Sequence, residues 1–374
     1  MTPERRNTIA FLKNLFREYY QKHEVEIPRD FTYREFAIQP WESESYVRHL
    51  SFRTYSEIKF FLGSKGPRHF YYSSARYDLP GMENMDEKNW RSSDLVFDID
   101  VDHVDECIDK VKSITNIFGE KISIIEDECF RVATIHVVNL VSVLVDELGI
   151  EESRIRIEFS GNRGFHVTVY LDDMNEYALL DSSTRRELVN YIKAVNLLDE
   201  TLNPSLSIKL RKKSHLVEEA PLSLDIAGLR GRLAHVVNNI MKYYNDLFQI
   251  DKNEDIEIAL REIAKRYLSI PIDEQVTIDT KRLIRAPFSL HGKTGLLVKP
   301  VKLDSLPYFK LDVDLSPFKD LDSLKVFIIA NENIHVKLFG EEIKLSPREI
   351  LKTPPYLGIY LLCKGLAVLP QDMD

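Results

Sequence analysis

The sequence has little cysteine, no long uninterrupted apolar run and no excess of positive charge. Its three cysteines, Cys107, Cys129 and Cys363, are too few and too widely spaced for a disulfide framework, which favours a reducing, intracellular compartment. The most apolar stretch, residues 132–145, is interrupted by polar residues and is too short to cross a bilayer. The first residues lack the layout of a signal peptide. We therefore expect a cytoplasmic protein with no membrane association.

The net charge of −9 argues against a protein that coats nucleic acid through bulk charge. It still allows an enzyme that contacts nucleic acid at one local basic surface. With 44% hydrophobic and 29% charged residues, the composition is that of an ordinary globular protein, and no internal repeat or low-complexity segment is present. A length of 374 residues suits two domains or one large domain with an insertion.

A strand with two acids stands in the first third of the chain. Leu95, Phe97 and Ile99 alternate with a second set of residues, which predicts a strand with Asp98 and Asp100 on one face. Two adjacent carboxylates repel and raise each other's pKa. A divalent cation between them would remove that cost, since Mg²⁺ and Mn²⁺ prefer oxygen ligands. The alternative is a strand end that runs into a solvated acidic loop.

The segment from Ser160 to His166 has the composition of an anion cradle. It is predicted to connect two alternating strands as a hairpin. Gly161 and Gly164 allow the backbone to approach an anion closely, and the planar guanidinium of Arg163 suits phosphate oxygens. His166 can donate to a phosphate or act in proton transfer. The alternative is an ordinary hairpin turn with an exposed arginine.

A third acid is followed by a basic block. The pattern before Asp279 predicts a strand over 274–278 that ends at this carboxylate. From 280 to 303 the chain has six Lys or Arg residues and no acid, including Arg285 and Lys293, with His291 between them. Such a block suits a polyphosphate bound beside a metal. The alternative is a basic loop that neutralises nearby acids through weak surface pairs.

The distribution of patterns predicts the domain organisation. Strand signals occupy residues 1–181 and 271–374, whereas charged helical patterns dominate 182–270. We therefore predict an α/β protein of α+β type, with a catalytic domain formed by the two outer segments and a helical insertion subdomain over 182–270. Residues 103–129 read as irregular, and the basic run 209–213 reads as a solvated loop.

Three of these segments resemble the motifs of a known family. Asp98-Ile-Asp100, Ser160-Gly-Asn-Arg-Gly-Phe-His166, and Asp279 with the following segment 282–296 are similar to the three motifs of the archaeo-eukaryotic DNA primase catalytic (small) subunit. Segments 34–37, 46–51 and 72–77 also resemble that family in its archaeal form. The similarity runs in order from about residue 10 to 300 and weakens after that.

The resemblance implies a primase-type catalytic domain with a mixed β-sheet flanked by helices. It also implies synthesis of primers from nucleoside triphosphates on single-stranded DNA by two-metal (Mg²⁺ or Mn²⁺) nucleotidyl transfer, together with a large primase subunit. The metal-binding catalytic carboxylates would be Asp98, Asp100 and Asp279. Contacts to the triphosphate would come from Ser160, Arg163, His166, Arg285, His291 and Lys293, with Arg48 and Arg76 as further basic positions near the nucleotide.

The sequence departs from the family pattern at one place. Family members usually carry a zinc knuckle between the first two motifs, often with a Cys-x-x-Cys pair. Here the region offers only His103, Cys107, Cys129 and His136. Their number allows a four-ligand structural zinc site but their spacing is not the usual one, so buried or inert cysteines are the favoured alternative.

Two other functions fit parts of the pattern, a metal-dependent nuclease and a catalytically silent nucleic-acid-binding subunit. The phosphate-binding residues count against the first, and the three carboxylates count against the second.

Overall fold

The computed structural model describes residues 2–195 and 268–370, which form helices and antiparallel sheets. The helices are α1 (Pro3–Lys22), α2 (Tyr55–Lys65), α3 (Asp127–Ser142), α4 (Ser182–Ile192), α5 (Glu274–Ile278) and α6 (Pro355–Lys364). The first strands are β1 (Phe36–Gln39), β2 (Val47–Leu50), β3 (His69–Ser73), β4 (Ala75–Tyr77), β5 (Trp90–Ser93), β6 (Leu95–Asp100), β7 (Val111–Thr115), β8 (Lys121–Ile125), β9 (Ile155–Phe159) and β10 (Gly164–Val169). The later strands are β11 (Leu283–Arg285), β12 (Lys299–Pro300), β13 (Leu324–Ile328), β14 (Ile334–Leu338), β15 (Glu341–Leu345), β16 (Ile350–Thr353) and β17 (Ala367–Val368).

Two four-stranded sheets make up the centre of the molecule. One has the order β11-β3-β1-β2 and the other β12-β9-β10-β6, and every strand pair in them is antiparallel. The hydroxyls of Tyr72 and Tyr170 lie 2.8 Å apart and join the two sheets. The α+β class is confirmed. The sequence predicted one mixed sheet, whereas the two central sheets are antiparallel and are accompanied by smaller sheets of two or three strands.

Strand β6 forms as its alternation predicts. Leu95, Phe97 and Ile99 are fully buried in the core, which leaves the acids on the opposite face. The register of β6 against β10 places Asp98 opposite His166 and Asp100 opposite Gly164. The predicted β9–β10 hairpin is confirmed by its register. Two acids and a histidine therefore lie on one face of one sheet.

The first helix of the chain, α1, begins with local signals that favour a helix. Thr2 caps it by accepting the backbone N–H of Arg5, and Pro3 occupies the first turn, where its missing N–H costs nothing. Its apolar face, which includes Phe16 and Tyr20, is buried against the rest of the core. This burial on one side explains why a charged sequence forms a stable helix.

Two sequence predictions of local structure are wrong. Residues 103–129, expected to be irregular, contain the β7–β8 hairpin. Residues 274–278, expected to be a strand, form the short helix α5, because Asp273 caps it by accepting the backbone N–H of Gln275. Asp279 therefore follows a helix instead of ending a strand.

Helix α3 and the π-turn that continues it span Asp127–Glu147. By length and composition alone this segment could cross a membrane, which corrects the expectation that the apolar stretch is too short. Half of its most apolar window is buried inside the fold. Phe130, Val137 and Leu140 on its inner face are almost fully buried. The apolarity of α3 is thus accounted for by its packing.

The cysteines also differ from expectation. Cys107 and Cys129 form a disulfide with a Cα–Cα distance of 5.7 Å, which is usual for such a bond. It connects the segment after β6 to the first turn of α3. Cys363 is free and buried. The expected burial of Cys107 and Cys129 is confirmed, but their pairing in a disulfide was not predicted.

Helix α4 is anchored to the centre of the molecule by a buried arginine. Arg185 donates to the carbonyl oxygens of Ser93, Asp94 and Thr277, and α4 packs against α5. Lys193, just after α4, forms an ion pair with Glu274 in α5. The chain therefore leaves the described fold after α4 and re-enters it at α5, which lies next to α4. Most of the predicted helical insertion, residues 196–267 with the basic run 209–213, lies outside the described residues.

Candidate active site

A cavity of about 410 Å³ opens between the two sheets where β6, β10 and β11 meet α5. We call it the central cavity. All the predicted site residues line it except Arg76, and they are Asp98, Asp100, Asp279, Ser160, Arg163, His166, Arg285, His291, Lys293 and Arg48. Residues from three distant parts of the sequence therefore meet at one place. The lining is mostly polar and charged, which suits a charged ligand.

The two acids of β6 are largely hidden from solvent. Their side chains are 16% exposed for Asp98 and 9% exposed for Asp100. Burial raises the pKa of Asp98 to about 6, although Arg285 opposes the shift. Burial and the neighbouring charge of Asp98 raise the pKa of Asp100 to about 6 as well. The Oδ1 atom of Asp98 is buried and accepts no hydrogen bond.

Helix α5 is fixed on β6 by two hydrogen bonds. The N–H of Asp273 donates to the carbonyl of Asp98 at 2.9 Å, and the Thr277 hydroxyl donates to the carbonyl of Val96 at 2.9 Å. Asp279 follows directly, and its carboxylate accepts the N–H of Lys281 at 2.8 Å. The helix thereby brings the third acid to the wall of the central cavity.

The hairpin loop is held close to β6 by glycine. A Cβ at Gly164 would lie 2.1 Å from the carbonyl oxygen of Ile99 and 2.8 Å from the Cα of Asp100, so that no side chain fits there. Gly161 has a φ of +83°, and a Cβ on it would lie 2.7 Å from the Cβ of His291. These two contacts pack the loop against both the acidic strand and the basic block.

Arg163 turns toward the acids. Its guanidinium lies 2.9 Å from Asp100 and 2.6 Å from Asp102. The sequence predicted that Arg163 binds a phosphate and did not single out Asp102. An arginine held by two carboxylates balances part of their charge, and a cation bound there would release it.

The two histidines of the cavity are neutral at ordinary pH. Burial, with the nearby charge of Arg285, lowers the pKa of His166 to about 3 and lowers that of His291 well below its usual value. His166 Nε2 lies 3.9 Å from Asp98, and its Nδ1 has no hydrogen-bond partner. Nδ1 of His291 accepts the N–H of Lys293 at 3.2 Å. His166 therefore retains hydrogen-bonding capacity for a ligand.

Strand β11 supplies the basic wall. Arg285 lies over the ring of Tyr71 on the paired strand β3, at 5.5 Å, and its buried Nε has no partner. Arg282 also lines the cavity and acts on the charges of Asp98 and His166. Sequence reasoning did not single out Arg282 or Tyr71. Arg282 could have been predicted, because it belongs to the basic block that follows Asp279. Tyr71 could not, because only the pairing of β3 with β11 brings it to Arg285.

Two upstream arginines have structural partners. Arg48 lines the cavity but forms an ion pair with buried Glu35 at 2.9 Å. Arg76 is buried away from the cavity, where it pairs with Asp30 and, at 2.7 Å, with Asp94. The structure thus places Arg76 in a buried ion-pair network outside the central cavity, and a role for it near a nucleotide stays a prediction. Its partners are distant in sequence, which explains why the pattern alone did not reveal them.

The acids fit a divalent cation in part. Asp98 and Asp100 are adjacent oxygen donors, and the unpartnered Oδ1 of Asp98 offers a ligand position. Across residues 2–195 and 268–370, however, no group of three or more His, Cys, Asp or Glu side chains is arranged to hold one ion. Asp279 therefore shares the cavity with the other two carboxylates without completing a compact ligand set.

The fold and the cavity define a class of α+β protein in which buried carboxylates face a basic wall across one polar cavity. The model of the DNA primase small subunit family matches residues 97–303, which contain all three acids and the basic block. The chain belongs to the DNA primase small subunit family.

Full-length relatives support this assignment. The DNA primase small subunit PriS of Hyperthermus butylicus is 42% identical over 97% of both chains. That of Saccharolobus solfataricus is 36% identical over 95% of this chain and 94% of its own. The protein of the same name from Staphylothermus marinus is 33% identical over 97% and 95%. The similarity thus extends over the whole chain and beyond the motifs.

Proposed function

We propose that this chain is the catalytic subunit of a DNA primase and makes primers from nucleoside triphosphates on single-stranded DNA. The reaction would be nucleotidyl transfer in the central cavity, in the cytoplasm and together with a large primase subunit. The observation that carries the proposal is the meeting of Asp98, Asp100 and Asp279 with a basic wall in one cavity. Carboxylates for cations and basic groups for a triphosphate are the two requirements of this chemistry.

Mg²⁺ or Mn²⁺ would be held by Asp98 and Asp100, with Asp279 as the third carboxylate. Bound there, a pair of such ions would neutralise charge on the attacking and leaving oxygens. Arg163 supplies part of the balancing charge through its contacts with Asp100 and Asp102. We propose that Arg163 leaves these acids for a phosphate when cations take its place.

The triphosphate would be bound from the opposite wall of the cavity. Arg285 and Arg282 offer guanidinium groups on β11 and just before it, and Lys293 adds an ammonium group. Neutral His166 and His291 would donate single hydrogen bonds without adding charge. Ser160 accepts the N–H of Gly164 at 3.3 Å and its hydroxyl can donate to a phosphate oxygen.

The proposal is tested with the Asp100→Asn variant. Purified protein is incubated with single-stranded template, labelled nucleoside triphosphates and Mg²⁺ or Mn²⁺. Asp100→Asn should abolish extension products while leaving the circular dichroism spectrum unchanged, because it removes a charged ligand with almost no change of shape. The matched control, Asp304→Asn, changes an exposed aspartate outside the cavity and should retain wild-type synthesis.

Three alternative outcomes would contradict the proposed primer synthesis or the assignment of the metal ligands. Shortened template in place of extension products would indicate a nuclease. Wild-type turnover by Asp100→Asn would refute the metal assignment. Binding without any product from the wild-type chain and its large subunit would indicate a silent subunit.

A further inference from the structure

A second cavity adjoins the central one. It has a volume of about 520 Å³ and lies between α1, the β7–β8 hairpin and the end of α6. We call it the side groove. The central cavity and the side groove share Asn162, Arg163 and Lys293, so that one opens directly into the other. A ligand longer than a nucleotide can therefore occupy both.

The side groove is basic in a chain that is acidic overall. Its lining has six cationic residues, namely Arg5, Arg68, Lys121, Arg163, Lys293 and Lys364, against three glutamates. Each glutamate is already neutralised by an ion pair, Glu42 with Lys13, Glu44 with Arg68 and Glu120 with Arg5. The remaining positive charge is therefore available to an anion.

Three lysines of the groove have no such partner. Among the residues that the structure describes, no carboxylate lies within 4.0 Å of the Nζ atoms of Lys121, Lys293 or Lys364. Lys364 Nζ instead donates to the side-chain oxygen of Asn162 at 2.9 Å and to the carbonyl of Ser123 at 3.2 Å. Neutral acceptors hold this ammonium group in place without cancelling its charge.

The position of Lys364 is costly without an anion. Burial, with the positive charges of Lys293 and Arg163, lowers the pKa of Lys364 to about 7. A phosphate would offset both the burial and the repulsion. Lys364 does not line the central cavity, where the basic wall is already sufficient for a triphosphate. A second, separate phosphate is therefore the ligand that fits the junction.

We propose that the side groove binds the backbone of single-stranded nucleic acid on its way to the central cavity, with Lys364 holding a phosphate at the junction. The inference rests on the proposed function, since it names where the template strand is bound. Phe118 lines the groove with Arg5 at 5.3 Å from its ring and offers a face on which a base can stack. Backbone contacts of this kind are insensitive to base sequence.

The test measures the binding of fluorescein-labelled oligothymidylate to the full chain by anisotropy, with EDTA and without nucleotides, over a range of salt concentrations. Lys364→Gln should weaken binding about fivefold to tenfold at low salt. It should also reduce the slope of log affinity against log salt by about 0.7, the loss of one phosphate contact on a single strand. The matched control Lys352→Gln, an exposed lysine of β16 outside both cavities, should match the wild type.

Two further measurements keep the test decisive. Lys121→Gln changes an exposed lysine of the same groove, and it should reduce the salt slope even if Lys364→Gln fails to fold. Unchanged affinity and slope in the folded groove variants would overturn the inference. A weaker apparent affinity of Lys364→Gln for nucleoside triphosphate, with normal oligothymidylate binding, would assign Lys364 to the nucleotide and would also overturn it.

The outcomes distinguish this inference from the proposed function. If the chain makes no primers but binds oligothymidylate through the groove lysines, the proposed function is wrong and the inference about the side groove stands. If the chain makes primers but its groove variants bind oligothymidylate normally, only the inference about the side groove is wrong.

Discussion

Asp98 carries a negative charge in a place that disfavours it. Its pKa is raised in the folded protein, to about 6, above the value of roughly 3.9 of an unfolded chain. The fold therefore favours the protonated form. This contribution to stability is fully present below about pH 4 and is lost as the pH rises through 6.

We expect Asp98→Asn to raise the melting temperature above pH 6 in EDTA. The gain in the free energy of unfolding should reach up to about 3 kcal/mol, since one pKa unit corresponds to roughly 1.4 kcal/mol. Below pH 4 the variant and the wild type should converge. Thermal melts from pH 4 to 8 check this, with Asp304→Asn as the control. A gain that does not depend on pH would contradict the burial of an unpaired charge.

Mn²⁺ should stabilise the wild type more than it stabilises Asp98→Asn. A cation bound by Asp98 and Asp100 removes the cost of their charge in the wild type and lacks a ligand in Asp98→Asn. Addition of Mn²⁺ at pH 7.5 should therefore raise the melting temperature of the wild type more than that of the variant. Equal shifts would show that the cation binds elsewhere.

Arg163 should contribute mainly to binding of the triphosphate. Arg163→Ala removes a charged hydrogen-bond donor, and we expect it to weaken the apparent affinity for nucleoside triphosphate by about 1.5–3 kcal/mol. Steady-state kinetics of primer synthesis measure this, and Arg154→Ala, a half-buried arginine outside the cavity paired with Asp172, serves as the control. Unchanged apparent affinity would mean that Arg163 stays with Asp100 and Asp102 throughout.

At the scale of elements, strand β10 lies close against β6 at Gly164. Gly164→Ala must push the two strands apart, because the new Cβ would meet the backbone of Ile99 and Asp100. We expect a loss of several kcal/mol in the free energy of unfolding and loss of synthesis, since His166 would move away from Asp98. Chemical denaturation measures the first effect.

Gly149→Ala is the control for this substitution. Gly149 has a φ of +67° and open space around its Cα, so alanine there should cost only about 1 kcal/mol through backbone strain. If Gly164→Ala cost no more than Gly149→Ala, the sheet would be tolerating the extra atom and the close approach would have no consequence.

Alternation and turn chemistry were sufficient to predict β6 and the hairpin, because the period of two is a local property. The five residues of α5 were too few to separate a strand from a helix, and a capping side chain, Asp273, decided the outcome. The ion pairs of Arg76 with Asp30 and Asp94 could not be predicted, because these partners are brought to it only by the fold. Local periodicity thus located the acids, while the environment of each charge depended on tertiary contacts.

Across the whole molecule, the disulfide joins parts of the chain that are 22 residues apart. Closing a loop of that length should stabilise the fold by about 3 kcal/mol. Reductant should therefore lower the melting temperature of the wild type. The variant Cys107→Ser/Cys129→Ser should melt at the lower temperature with or without reductant.

The disulfide between Cys107 and Cys129 also leads to a prediction about zinc content. Thiols joined in a disulfide do not bind a metal, so protein purified without chelator should contain substoichiometric zinc. Elemental analysis of the full chain decides this. One zinc per chain would mean that Cys107 and Cys129 are ligands and not partners of each other.

The contact of α4 with α5 has a consequence for how such a chain can change over evolutionary time. The chain leaves the described fold after α4 and re-enters it at α5. The two helices are held together by the hydrogen bonds of Arg185 and by the ion pair between Lys193 and Glu274. The position of Asp279 is set by carbonyl groups of β6, independently of how many residues intervene. The stretch between α4 and α5 can therefore change in length or sequence during evolution without changing the position of Asp279 in the central cavity.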